Sequence, residues 1–124
     1  MKVGIILAVL GLIGLSTASH AQDAEKGSKV FKKCMACHAI DDKNKIGPSL
    51  MGIVGRKAAT VEGFKYSDAM LAKAAEGVVW DEATLTAYLP DPKAFVPGTK
   101  MVFPGLKKPE EVTDLIAFLK TKGM

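Results

Sequence analysis

Cys34-Met35-Ala36-Cys37-His38, written CMACH, contains both cysteines of this 124-residue chain, and its reading decides what the remaining residues fold around. Three chemistries use a Cys-x-x-Cys pair. A disulfide oxidoreductase places it between a strand and a helix, whereas the residues around Cys34 read as helix and the chain offers no alternating strands to build a sheet. A structural zinc ion needs four ligands; Cys34, Cys37 and His38 leave the fourth to a carboxylate. The third chemistry is covalent haem attachment, whose signature is Cys-x-x-Cys-His. Cysteines three apart on a helical turn stand on one side, spaced about as the two vinyl groups of a porphyrin, and the next residue points its imidazole under the ring centre. On this reading Cys34 and Cys37 form the thioethers to one haem c, and His38 is the proximal iron ligand.

The N-terminus suits that chemistry, because haem is joined to such chains after export. Lys2 supplies a positive start, Val3 to Leu15 carry no charge, and Ser19-His20-Ala21 is a small-x-small cleavage site ahead of Gln22. These are the three parts of a secretory signal peptide, and the apolar stretch is shorter than the ~20 residues a membrane span needs. The chain thus divides into a signal peptide over residues 1–21 and one domain over residues 22–124, periplasmic and without a span after cleavage. An apolar content of 48% with 24% charged residues is that of an ordinary globular domain. The net charge of +4 is mildly basic; a monomer with no nucleic-acid partner is expected.

His20 leaves with the signal peptide, so His38 is the only histidine of the exported domain and two-histidine ligation within one chain is ruled out. The sixth position then falls to sulfur, a lysine, water or nothing. Met35 lies inside the attachment turn, Met51 follows His38 too soon to travel round the ring, and Met124 is the last residue. Met70 sits in the helical stretch YSDAMLAKAA, where a methionine is ordinary filling. Met101 lies in FVPGTKMVFPG, where Pro97-Gly98 and Pro104-Gly105 forbid a continuous helix and can hold an extended segment flat against a ring. Its long, unbranched thioether is a soft donor suited to iron(II), which favours Met101 over Met70.

The frame is all-α. In the last helix Pro109 suits the first position, Glu110 and Glu111 the positive end of the dipole, and Val112, Leu115, Ile116 and Leu119 recur at helical spacing. The first helix, roughly Ala24 to Cys37, offers Ala24, Gly27, Phe31 and Cys34 on one face, and Gly27 against Leu115 and Phe118 is the expected crossing. Between them lie a Gly/Pro-rich loop from Ile46 to Gly55, a short helix after Ser67, and DEATLTAYL, which Pro90 and Pro92 terminate. No segment demands a strand.

These residues resemble the class I c-type cytochromes, in the mitochondrial and bacterial cytochrome c2 branch. The likeness is carried by EKGSKVFKKCMACH, GPSLMGIVGRKA, FKYSDA, VVW, LTAYLPDPKAFVPGTKMVF and DLIAFLK, from about Glu25 to Lys120. It implies that the Pro48 carbonyl accepts the second imidazole hydrogen of His38, a bond that orients a metal-bound histidine and raises its basicity. It further implies that Arg56, Tyr66 and Trp80 hold the buried haem propionates, and that Tyr88 and Thr99 lie near the methionine sulfur and a propionate. Two places depart from the mitochondrial pattern: Met70 stands where an asparagine of an internal polar network is usual, and LAKAAEGVV before Trp80 is longer.

The resemblance implies a soluble one-electron carrier between a donor such as a cytochrome bc complex and a terminal oxidase or photosynthetic reaction centre. Lys33, Lys93, Lys100, Lys107 and Lys108 match lysines around the exposed haem edge and form the expected docking face, whereas Lys26 and Lys120 read as plain solvated charges. With His38 and Met101 both on iron no position is open to a substrate, so an enzyme is not expected. A peroxidase or gas binder would need a vacant sixth position and usually a distal acid–base group, for which no second histidine remains.

Overall fold

The computed structural model describes Gly11 and residues 23–123. The signal peptide read over residues 1–21 lies, Gly11 apart, outside the described residues, as does Met124. The elements are α1 (Ala24–Phe31), α2 (Asp68–Ala75), α3 (Glu82–Tyr88), α4 (Pro92–Phe95) and α5 (Pro109–Thr121). Among the described residues there is no strand; a single bridge pairs Lys57 with Val79. No helix there is long and apolar enough to cross a membrane.

Side chains start four of these helices. Asp23, Ser67, Asp81 and Asp91 accept from the backbone N–H groups of Lys26, Met70, Thr84 and Ala94 at 3.1, 3.1, 2.8 and 3.2 Å. Each such cap is worth about 1 kcal/mol by satisfying a donor the helix cannot. α5 opens instead on Pro109, where a missing N–H costs nothing, with Glu110 and Glu111 on its positive end.

Two boundaries differ from the sequence reading. α1 stops at Phe31 and not near Cys37, because from Lys32 onward the bonds tighten: Lys33 N–H reaches Val30 at 3.0 Å and Cys34 N–H reaches Phe31 at 2.8 Å. CMACH therefore sits in tight turns following α1. The segment around Pro92, read only as a terminator, begins the short helix α4 with Pro92 in its first turn.

α1 and α5 cross at Gly27 against Phe118, as expected, with the Asp114 carbonyl in the place expected of Leu115. A Cβ on Gly27 would run into the carbonyl of Asp114, standing 2.6 Å from its carbon and 2.7 Å from Phe118 Cβ. The missing side chain lets Phe31 reach Phe118, ring centroids 5.4 Å apart, and lets the Asp114 carboxylate accept the Asp23 N–H at 3.0 Å. Val30, Phe31, Val112, Leu115, Ile116, Phe118 and Leu119 are buried in the resulting core, which extends through Trp80, Leu85 and Tyr88 to Val96 and Leu106.

Candidate haem site

CMACH leaves α1 on a turn in which Cys37 and His38 N–H groups both reach the Cys34 carbonyl, at 3.1 and 2.9 Å. Both cysteines are unpaired and half-buried. Burial, reinforced by the neighbouring Cys37 and opposed by Lys33, pushes the Cys34 thiol up to about 11.

His38 Nδ1 lies 2.7 Å from the Pro48 carbonyl oxygen. A carbonyl only accepts, so Nδ1 carries the hydrogen and the Nε2 lone pair is free for a metal. Burial lowers the imidazole pKa, with the Pro48 bond opposing and Lys45 adding to the fall. Gly47 packs against the ring: a Cβ there would stand 2.7 Å from Nδ1 and 2.9 Å from Nε2. The His38 imidazole is thereby pinned in its plane by one hydrogen bond and one backbone contact.

The other sulfur arrives on a loop shaped by its bracket. Thr99 N–H closes a turn onto the Val96 carbonyl at 3.0 Å, with Pro97 and Gly98 at its centre and Gly98 at φ 85°. Pro followed by a positive-φ glycine is the type II arrangement. Beyond Met101, the Leu106 N–H is fastened to the Leu89 carbonyl at 2.8 Å, returning the chain to the end of α3. Between these anchors the Met101 N–H donates to Thr99 Oγ1 at 3.2 Å, and the Tyr88 hydroxyl donates to Met101 Sδ at 3.4 Å. Burial first, then nearby Cys34, pushes the Tyr88 phenol up to about 12, so it keeps the proton it donates. Met70, by contrast, lies on α2 with its thioether among partly buried residues packed on the core.

The residues matched to the propionates also converge. Gly55 N–H to the Trp80 carbonyl and Trp80 N–H to the Arg56 carbonyl, both 2.8 Å, set Arg56 beside Trp80. Trp80 is buried against Tyr88, centroids 4.7 Å apart. Tyr66 accepts the Val61 N–H at 3.0 Å and retains its own proton for another acceptor. Burial raises the Tyr66 pKa, against the lowering effects of the Val61 bond and Arg56. Arg56 Nη1 rests at 3.4 Å from the Met51 carbonyl, a long contact that leaves most of its fork unused.

The donor set fits a haem. It comprises two thiols three apart, an imidazole with a free Nε2, and a thioether beside a phenol. Ile40, Leu50, Val54, Met70 and Phe103 are half-exposed apolar residues against the core, suited to the faces of an apolar ring.

The family model described as Cytochrome c matches residues 24–122. This chain belongs to the cytochrome c family. It is similar to cytochrome c2 of Blastochloris viridis, 47% identical over 117 residues and 90% of each chain. Among solved structures it is similar to cytochrome cH from Methylobacterium extorquens, with a TM-score of 0.75 and 50% identity over 81% of this chain and 99% of that one. Cytochrome c2 from Rhodospirillum centenum gives a TM-score of 0.77 and 40% identity over 82% and 99%. The bacterial cytochrome c2 branch of class I is therefore the right placement. As a member of it, the protein carries one haem c bound covalently through Cys34 and Cys37 and is an electron carrier, not an enzyme.

All five lysines expected to dock partners are exposed, and two of them also make bonds within the chain. Lys33 is ion-paired with Glu111 at 3.0 Å across α1 and α5, and Lys107 donates to the Pro90 carbonyl at 2.7 Å. Lys120 is paired with Glu82. Sequence reasoning overlooked Lys45, whose ammonium donates to the Met35 carbonyl at 2.6 Å within CMACH, and Asn44, whose amide ties two loops together.

Proposed function

We propose that this protein is a soluble periplasmic carrier of single electrons, released from a signal peptide over residues 1–21, with His38 and Met101 as axial ligands. The observation that carries this reading is the Tyr88 hydroxyl donating to Met101 Sδ at 3.4 Å: among the described methionines, Met101 is the one whose sulfur meets a buried donor. Pro48 orients His38 by accepting its Nδ1–H. Bound haem c supplies an iron(III)/iron(II) couple. The chain's part is to keep both ligands in place in either oxidation state, so that little rearranges on electron gain. Sulfur in place of a second imidazole also favours a higher potential.

Arg56, Tyr66, Trp80 and Thr99 are the groups for the two propionates. A buried carboxylate is costly unless it is hydrogen-bonded; the Tyr66 hydroxyl keeps its own proton to donate, and most of the Arg56 fork is unused. Lys93, Lys100 and Lys108, with Lys33 and Lys107 alongside, form the face that meets a cytochrome bc complex as donor and an oxidase or reaction centre as acceptor. The encounter would be steered by charge and weak enough to end after transfer.

The test of the ligand set is the far-red absorption band of ferric iron bound by methionine sulfur. Met101→Ala is expected to abolish the band, lower the potential and admit added small ligands, while Met70→Leu keeps it. The opposite pattern would overturn the assignment.

A further inference from the structure

We infer that Asn44 is a positioning residue for His38, acting through the Pro48–Ser49 peptide group; the inference rests on His38 being the proximal ligand. The Pro48 carbonyl and the Ser49 N–H belong to one planar peptide. His38 Nδ1–H donates to its oxygen at 2.7 Å, and its N–H donates to Asn44 Oδ1 at 2.9 Å. Asn44 thus grips the far end of the group that orients the imidazole. At its other end Asn44 Nδ2 donates to the Glu62 carbonyl at 3.0 Å. One partner is an N–H and the other a C=O, so they fix which end of the amide is oxygen.

Nothing else locks that peptide plane as directly. Residues 41–46 are all exposed, so burial does not pin the loop, while Ser49 is buried at 4% exposure and its hydroxyl bonds the Asp41 carbonyl. Gly47 N–H to Cys37 at 2.8 Å and Leu50 N–H to Ala39 at 2.9 Å fasten the loop on either side of Pro48, and neither touches the Pro48–Ser49 peptide.

Two consequences follow. A peptide whose N–H is already donated is a stronger acceptor at its oxygen, by about 10–30% per bond in a chain of hydrogen bonds. Asn44 therefore strengthens the Pro48 pull on the Nδ1 hydrogen, makes Nε2 more electron-rich, and favours the oxidised metal. Second, the Glu62 bond joins the proximal loop to the segment running into Tyr66, so movement at one propionate donor is felt at the proximal imidazole.

The experiment uses the assembled holoprotein. The His38 Nδ1–H signal is followed by NMR for chemical shift and solvent exchange, and the reduction potential is measured beside it. Asn44→Ala is expected to speed Nδ1–H exchange about tenfold, the equivalent of one hydrogen bond at about 1.4 kcal/mol. The same variant should move the signal towards a weaker bond and raise the potential. Asn44→Asp keeps an oxygen for Ser49 and gives up the donor to Glu62, so its Nδ1–H is expected to remain at least as strongly bonded as in the wild type. Should Asn44→Ala not assemble, Asn44→Ser, polar but too short to reach the Ser49 N–H, takes its place with the same expected and overturning results. Wild-type shift, exchange and potential in Asn44→Ala, or an Nδ1–H weakened in Asn44→Asp, overturns the inference. A wild-type protein without the shifted signals of an iron-bound imidazole would instead overturn the ligand assignment, which separates the two failures.

Discussion

Replacing Gly27 by alanine measures how much the crossing of α1 on α5 is worth. Alanine improves the helix by about 1 kcal/mol over glycine. Against that, its Cβ would collide with the Asp114 carbonyl, 2.6 Å from the carbon, and with Phe118 Cβ at 2.7 Å. Overpacking typically costs about 1–3 kcal/mol, and the upper end applies because the obstacle is backbone that cannot rotate aside. Parting the helices also loosens the Phe31–Phe118 pair, now 5.4 Å between centroids. Such a pair is worth about 0.5–1.5 kcal/mol beyond its buried area. The Asp23 N–H bond to Asp114 spans the same gap at 3.0 Å and contributes about 1 kcal/mol. The net loss is about 4 kcal/mol, which in a domain of roughly 100 residues lowers Tm by about 16–32 °C. Denaturant unfolding of the assembled protein, followed by fluorescence and by visible absorption, gives the value, and the native spectrum should be unchanged because no ligand is touched. Ser28→Ala in the same helix is the control, expected within about 0.5 kcal/mol of wild type. A Gly27→Ala protein as stable as wild type would refute the reasoning that backbone contact sets this crossing.

Gly47→Ala drives a Cβ against His38, 2.7 Å from Nδ1; the variant should lose about 2 kcal/mol and show altered ligation in its visible spectrum, by overpacking and loss of the Pro48 bond together. Ala59 has φ 58°, and Ala59→Gly should stabilise by about 0.5 kcal/mol, since relief of a left-handed alanine, about 1–2 kcal/mol, slightly exceeds the extra freedom of unfolded glycine. The denaturation midpoint reports it. Lys100→Glu and Lys108→Glu should each slow electron transfer to an acidic partner about three- to tenfold at low salt, with the difference shrinking as the Debye length falls to about 8 Å at physiological ionic strength. Lys26→Glu, exposed on the first turn of α1, should change the rate little; stopped-flow kinetics distinguish them.

What could be read beforehand was whatever had a local cause. α5 declares itself through Pro109, its acidic first turn and an apolar period, and the structure begins it at Pro109. CMACH is as local as a motif can be. The end of α1 was read too late because the apolar spacing Gly27, Phe31, Cys34 continues through the turns after Phe31, and spacing alone does not distinguish a helix from a helix that tightens. α4 was overlooked although Asp91-Pro92 is itself a helix start, an aspartate cap ahead of a proline in the first turn. The rule that proline ends a helix obscured the rule that it begins one.

The longer segment before Trp80 shows why the rest needed three dimensions. α2 buries no residue fully, yet Lys73 Nζ lies 5.4 Å from the centre of the Phe95 ring and is paired with Glu76 at 3.1 Å. Phe95 meets Tyr88 edge-on at 5.7 Å, and Tyr88 is the residue that meets Met101. Ala69 also touches the turn that opens the Met101 loop, 3.7 Å from where a Gly98 Cβ would stand. A helix with no buried residue of its own therefore braces the methionine loop through its neighbours. No periodicity, cap or charge run in residues 68–75 could announce it, because the partners are some twenty to thirty positions away and are chosen by packing. Asn44 is alike: its two bonds reach 5 and 18 residues along the chain from an exposed run of polar residues. The candidate ligands of this site can be proposed from sequence because chemistry restricts which residue types can serve, whereas the residues that would aim those ligands are ordinary ones whose role exists only in the folded chain.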